Sequence, residues 1–220
     1  MINKKREEVE NLNKATKEAL IYFNKFNRKK LLVRESFFLM LHKTILASEP
    51  KIAGRYRSSL HELDIGGKTF TPSPAWQIEN KIIDLIDFIN NKRKWRPIFR
   101  KLFLNLIKSN NTLTKKQHEL VYKIFIAWYL HHNFVVIHPF ANGNGRTARL
   151  LMCLILRYEG LSKVSYPILI NYIINQDKSK YLNALNATDR GDYVSGVNYM
   201  FEVLDKAYRE TTKKTKINSY

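Results

Sequence analysis

The twelve residues His138-Pro-Phe-Ala-Asn-Gly-Asn-Gly-Arg-Thr-Ala-Arg149 put a titratable base, a glycine-rich turn and two arginines close together. With an unperturbed pKa of about 6.5, an imidazole is neutral often enough at physiological pH to take a proton from an attacking hydroxyl. Pro139 donates no backbone hydrogen bond and biases the residue before it toward extended geometry, so His138 is expected to end its segment in a rigid, extended turn. Gly143 and Gly145 carry no Cβ, which lets a ligand approach the main chain of residues 143–145. Thr147 to Arg157 are good helix formers around an apolar run, Leu150 to Leu156, and predict a buried helix opening at the turn. A helix start leaves N–H donors and partial positive charge that attract anions, the dipole giving ~0.3–2 kcal/mol. Arg146 and Arg149, three apart, share one helix face and add charge-assisted bonds. The ligand this chemistry selects is a polyphosphate, and the amide oxygen of Asn142 is available to a hard cation bridging its phosphates.

As a pattern, the stretch resembles the Fic family signature His-Pro-Phe-x-(Asp/Glu)-Gly-Asn-Gly-Arg-x-x-Arg. Far more than a lone glycine-rich turn has to coincide for that match. The resemblance implies an all-α Fic-type helical bundle with a short β-hairpin flap over the active site. It implies transfer of AMP from ATP to a Ser, Thr or Tyr hydroxyl of a target protein, with release of pyrophosphate and with Mg²⁺ as cofactor. His138 would be the general base and Phe140 a core anchor for the loop. Asn142, Gly143, Asn144, Gly145, Arg146, Thr147 and Arg149 would bind ATP, with Arg149 as the second arginine, which holds the γ-phosphate in the family. Tyr181, Leu182 and Asp189, in a post-motif helix and its exit, would border the adenine. Asn142 departs from the pattern: it stands where the family has a metal-binding acid, and a neutral amide holds a cation more weakly.

Upstream, Gly54-Arg-Tyr-Arg-Ser-Ser59 alternates as an extended segment does and resembles the Gly-x-Tyr-Arg segment that precedes the Fic flap. Gly66-Gly67 is a turn signal between Leu63-Asp-Ile65 and Lys68-Thr-Phe-Thr71, which predicts a hairpin. By resemblance this is the flap, about residues 60–74, with Gly66, Gly67, Lys68, Thr69 and Phe70 docking the target by strand addition. Many Fic proteins are inhibited by a helix bearing (Ser/Thr)-x-x-x-Glu-(Gly/Asn), whose glutamate pairs with the second motif arginine. No such segment is read here, so the sequence assigns no acid to Arg149, and a separate antitoxin-like partner is one expected source of control.

Around this centre the apolar spacing predicts amphipathic helices over 5–28 and 31–47, a third from Ile78 to Ile89, and another from about Lys115 to Phe134 that delivers His138. Thr114 and Gln117 are placed to cap that helix. The basic-aromatic stretch Lys92 to Lys101 predicts a helix start whose aromatics pack inward. After Gly160, placed to cap the preceding helix, helices are expected around Asn171–Ile174, over Lys180–Gly191 and around Val197, Phe201 and Leu204, with Thr211–Lys216 a frayed basic tail. His42, His131 and His132 are expected to be structural. The organisation is then residues 1–47 as N-terminal helices packing on the core, 48–210 as a Fic core and 211–220 as a tail, one structural unit in all.

The net charge of +19 on 220 residues favours acidic partners but says nothing about fold. It is assigned to a solvated lysine-rich surface that also gathers ATP. Cys153 is the single cysteine, which excludes an internal disulfide. No apolar stretch is expected to reach the roughly 18 residues needed to span a bilayer, and no metal-ligand cluster has zinc spacing. Together these predict a cytoplasmic protein with no membrane partner, and nucleic acid is not the favoured partner. Two other classes stay open: a non-catalytic module that binds nucleotide or protein, consistent with Asn142, and a basic nucleic-acid-associated protein, consistent with the charge.

Overall fold

The computed structural model describes residues 2–26, 33–59, 63–64, 69–91, 94, 96–101, 104, 114–158, 160–161, 169, 173 and 178–217. The chain divides into two compact units, one of residues 1–92 and 133–150, the other of 93–132 and 151–220.

In the first unit, α2 (Glu35–Ile45) lies within the predicted 31–47, and α1 (Ile2–Phe26) begins three residues before the predicted 5–28 and ends two residues short of its end. Ala15 and Ala19 on α1 and Phe37, Phe38, Leu41 and Ile45 on α2 are buried. Tyr22 stacks on Phe37 at 4.4 Å, and Thr44 donates to Glu18 at 2.6 Å. A 3-10 turn (Ala75–Gln77) leads into α3 (Ile78–Asn90), whose buried Ile78, Ile82, Leu85 and Ile89 recur at helical spacing. Asn90 ties the start of this layer by accepting from the Val33 N–H and donating to its carbonyl, both at 2.8 Å. Between α2 and α3, β1 (Leu63–Asp64) pairs antiparallel with β2 (Thr69–Phe70), Leu63 opposite Phe70 and Asp64 opposite Thr69. The predicted turn residues Gly66, Gly67 and Lys68 lie outside the described residues.

α4 (Lys115–Ile137) begins with the predicted cap: the Gln117 side chain accepts from the Thr114 N–H at 2.8 Å, and the Thr114 hydroxyl accepts from the Gln117 N–H at 3.4 Å. Its apolar residues up to His132 belong to the second unit, with Ile124, Phe125 and Trp128 buried. By length and composition this helix could cross a membrane, against the expectation from sequence; 61% of its most apolar window is buried inside the protein, which identifies it as a core helix. α5 (Asn144–Tyr158) carries the apolar run, with Cys153 buried in it. α6 (Lys178–Asp189) and α7 (Tyr193–Ile217) complete the second unit, where Trp128 donates to the Thr188 hydroxyl at 3.0 Å.

The tail from Thr211 is not frayed at that point: α7 continues to Ile217. The Thr211 and Thr212 hydroxyls donate to the carbonyls of Ala207 and Tyr208 at 2.7 and 2.8 Å, back-bonds that a polar composition does not reveal. Residues 96–101 are helical, and Phe99 packs inward against Tyr122 and Phe125, each at 5.7 Å. Trp95 and most of the segment expected to be helical near 171–174 lie outside the described residues.

Candidate active site

α4 ends at Ile137, and the His138 N–H still donates to Phe134 at 3.0 Å. His138 itself has φ +51°, the one left-handed non-glycine among the described residues. This corrects the extended geometry expected ahead of Pro139. Helices commonly close on a left-handed residue, usually glycine, and here a histidine takes that place at a cost on the order of 1–3 kcal/mol. The consequence is chemical. The ring turns back on the last helical turn so that Nδ1 donates to the Val135 carbonyl at 3.3 Å, which leaves the lone pair on Nε2. Burial lowers the His138 pKa; the Val135 bond opposes this and the Arg57 charge adds to it. The imidazole is therefore neutral near pH 7 and able to act as a base.

The turn after it is closed by its own side chains. Asn144, buried, accepts from the Phe140 N–H at 2.9 Å and donates to the Phe140 carbonyl at 2.7 Å. α5 starts at Asn144, three residues before the run of helix formers, and its first turn holds Gly145 and Arg146, the latter as the sequence leads one to expect, with Arg149 one turn further on. Gly143 has φ +76°, and a Cβ there would collide with Leu46 at the end of α2. A Cβ at Gly145 would lie 3.0 Å from Arg149 Nη1, so the missing side chain makes room for that guanidinium. The Asn142 side-chain oxygen, which the sequence offers to a cation, accepts from the Gly143 N–H at 2.7 Å. Its amide nitrogen faces the Glu49 carboxylate at 3.2 and 3.3 Å. Thr147 is buried and donates its hydroxyl to the Gly143 carbonyl at 3.0 Å.

Four residues that periodicity does not single out hold this arrangement. His42, fully buried, stacks on Phe140 with ring centroids 3.6 Å apart. Its Nδ1 accepts from the Gly54 N–H at 2.9 Å, so Nε2 is the protonated nitrogen and donates to the Asn142 carbonyl at 2.9 Å. Burial lowers its pKa to about 4. Arg57, also buried, donates to the His138 carbonyl at 2.7 Å. Glu49 faces Asn142, and Glu8 on α1 lies 3.5 Å from Arg146 Nη1. No spacing rule in the sequence points to Glu8; the acidic run Glu7, Glu8, Glu10 in a basic chain is the one signal it offers.

The motif residues and the paired strands all belong to the first unit. Tyr181, Leu182 and Asp189 belong to the second, on α6. There the Tyr181 hydroxyl lies 3.3 Å from His131 Nε2, and Asp189 pairs with His132 Nε2 at 2.8 Å. Burial lowers the His132 pKa, against the pull of Asp189, and both histidines are buried within the core as expected.

Residues 32–156, more than half of the chain, match the Fic/DOC family. The chain belongs to that family. Among curated relatives it is 37% identical over 103 residues to "Protein adenylyltransferase Fic" of Nematostella vectensis, covering 47% of this chain and 23% of the relative. It is 28% identical over 163 residues to "Protein adenylyltransferase fic-1" of Caenorhabditis elegans, covering 74% of this chain and 25% of the relative. The Fic chain thus spans about a quarter of the length of these relatives. Its fold matches a Fic family protein from Desulfovibrio desulfuricans with a TM-score of 0.67, 22% identity and coverage of 95% of this chain and 54% of that one. It also matches a Fic domain containing signaling protein from Bacteroides thetaiotaomicron, with a TM-score of 0.65, 24% identity and coverage of 96% and 72%.

Proposed function

We propose that this Fic chain is a protein AMP transferase that uses ATP and modifies a Ser, Thr or Tyr hydroxyl of a target protein. The observation that carries the reading is the neutral His138, with its lone pair on Nε2, just ahead of a helix start whose first turn holds Arg146. His138 takes the hydroxyl proton as that oxygen attacks the α-phosphorus. A new P–O bond forms, the bond from the α-phosphorus to the bridging oxygen breaks, and pyrophosphate leaves with the electron pair. Positioned base catalysis contributes ~10²–10⁴-fold, and alignment and charge stabilisation by the α5 start, Arg146 and Arg149 supply the rest. Tyr181, Leu182 and Asp189 are assigned to the adenine on the resemblance alone. The hairpin, about residues 60–74, is assigned the target, with main-chain pairing along β1 or β2 as the docking mode.

Mg²⁺ takes oxygen ligands and binds through one or two protein carboxylates together with substrate phosphates. The donor set fits in part: the Glu49 carboxylate beside Asn142 brings the charge that the motif lacks, and the Asn142 oxygen, which accepts from the Gly143 N–H, keeps a second lone pair for an ion. Glu49 and Asn142 are the residues that would hold the ion, which when bound would neutralise phosphate charge. Glu8 on Arg146 supports a weak internal restraint on nucleotide binding, alongside or instead of a separate inhibitory partner. At 3.5 Å and with both side chains partly exposed, such a pair is worth about 0–1 kcal/mol, a bias and not a lock.

The test is incubation with labelled ATP, Mg²⁺ and lysate, followed by intact mass of the labelled protein. A covalent adenylyl group that His138→Ala abolishes supports the reading. ATP binding without any label selects instead a nucleotide-binding module, which the Asn142–Gly143 closure favours.

A further inference from the structure

Arg57 is 7% exposed, and its guanidinium is spent on main-chain carbonyls. Nε donates to His138 at 2.7 Å, Nη1 to Ser59 at 2.8 Å, and Nη2 to Ser73 and, at 3.4 Å, to Ile137. Its own N–H donates to the Pro139 carbonyl at 3.0 Å. One residue therefore binds three successive carbonyls, Ile137, His138 and Pro139, across the left-handed backbone of the base. The same guanidinium binds the two legs of the hairpin, Ser59 before β1 and Ser73 after β2. Ser73 is itself buried and is held from the other side by Lys81, which donates to its hydroxyl at 2.9 Å.

We propose that Arg57 is a positioning residue that couples the hairpin to the base: the guanidinium joining Ser59, Ser73 and His138 registers a target seated on the hairpin against the His138 ring. The proposal rests on the AMP-transfer reading for the target and on the geometry alone for the coupling. A left-handed histidine persists only where its surroundings over-determine it, and the Arg57 bonds are the direct restraint on its carbonyl. The planar fork is what makes this work, because Nε, Nη1 and Nη2 diverge in one plane toward three chain segments. A lysine keeps the charge but presents one compact ammonium that cannot reach all of them. Movement of either hairpin leg is transmitted to His138 through one rigid group, so target docking and base orientation rise and fall together.

Native-state hydrogen exchange on the wild-type chain is the first arm, and it needs no transfer activity. Amides of residues 59, 63–64, 69–71 and 73 and of 137, 138 and 140 are expected to open as one cooperative unit across a denaturant series. Independent opening of the hairpin, with 137–140 still protected, overturns the coupling. The second arm is Arg57→Lys. Here kcat with saturating target is expected to fall ~10²-fold, the scale of an ångström-level misplacement, while the Kd for ATP is unchanged and exchange rises in both segments together. Unchanged kcat overturns the proposal, as does a loss of ATP binding in step with kcat, which marks collapse of the motif instead of misplacement. If the wild type transfers no AMP, the functional reading falls, and the exchange arm still decides the coupling.

Discussion

Replacing His42 with Phe should remove a pH dependence of stability while keeping the stack on Phe140. His42 accepts from Gly54 at one ring nitrogen and donates to Asn142 at the other, so a second ring proton would set a donor against the Gly54 N–H. Burial dominates the lowered pKa; the Asn142 bond opposes it, the Arg146 charge adds to it and the Glu49 charge opposes it. The folded chain binds this proton only at about pH 4, whereas the unfolded chain binds it at the ordinary value of 6.5. Between those two values the unfolded state holds more protons, so stability is full above 6.5, declines as the pH falls, and stops declining below about 4. At 1.36 kcal/mol per pKa unit the loss is about 3 kcal/mol. The variant leaves a buried N–H and a buried carbonyl unpaired, which at pH 7 costs ~1–3 kcal/mol each. Urea unfolding of both proteins at pH 7, 6, 5 and 4 should therefore show the gap between them closing by about 3 kcal/mol. His132 and His138 titrate in the same direction in both proteins and cancel in the difference. Parallel curves would refute the reasoning. If the variant does not fold, NMR titration of His42 in the wild type decides instead, and a ring protonated at pH 6 would be fatal to it.

His138→Ala should lower transfer by ~10²–10⁴-fold with nucleotide affinity preserved, as measured by labelling and by calorimetry with ATP. Asn142→Asp should strengthen Mn²⁺ binding in the presence of ATP, and Glu49→Gln should weaken it; electron paramagnetic resonance of the ion reads both without any turnover, and an unaltered signal in Glu49→Gln removes Glu49 from the cation site. Glu8→Gln should raise ATP affinity by up to about five-fold, the equivalent of the most that a partly exposed ion pair contributes, and a decrease in calorimetric affinity would show that Glu8 assists nucleotide binding.

The centre of the site was legible because its chemistry lies in one contiguous stretch, and α3 because Ile78, Ile82, Leu85 and Ile89 repeat at the helical period. What holds the centre was not. His42 and Asn142 are 100 residues apart, and Arg57 and His138 are 81 apart. Periodicity assigns a residue to a face of its own element and carries no information about which distant carbonyl it meets. Arg57 was visible within Gly54-Arg-Tyr-Arg-Ser-Ser59, but as part of an extended segment, not as a buried fork. The backbone of His138 departs from the sequence expectation for a related reason: the local preference set by Pro139 is small beside a helix end and a buried guanidinium acting on the same peptide groups.

The packing of Leu46 into the space over Gly143 carries a practical lesson for protein engineering. Transplanting residues 138–149 onto an unrelated helical scaffold would copy the letters of the signature and lose its shape, because the bend is moulded against the end of α2 and gripped from the segment that follows. A graft that works must bring residues 42–57 as well.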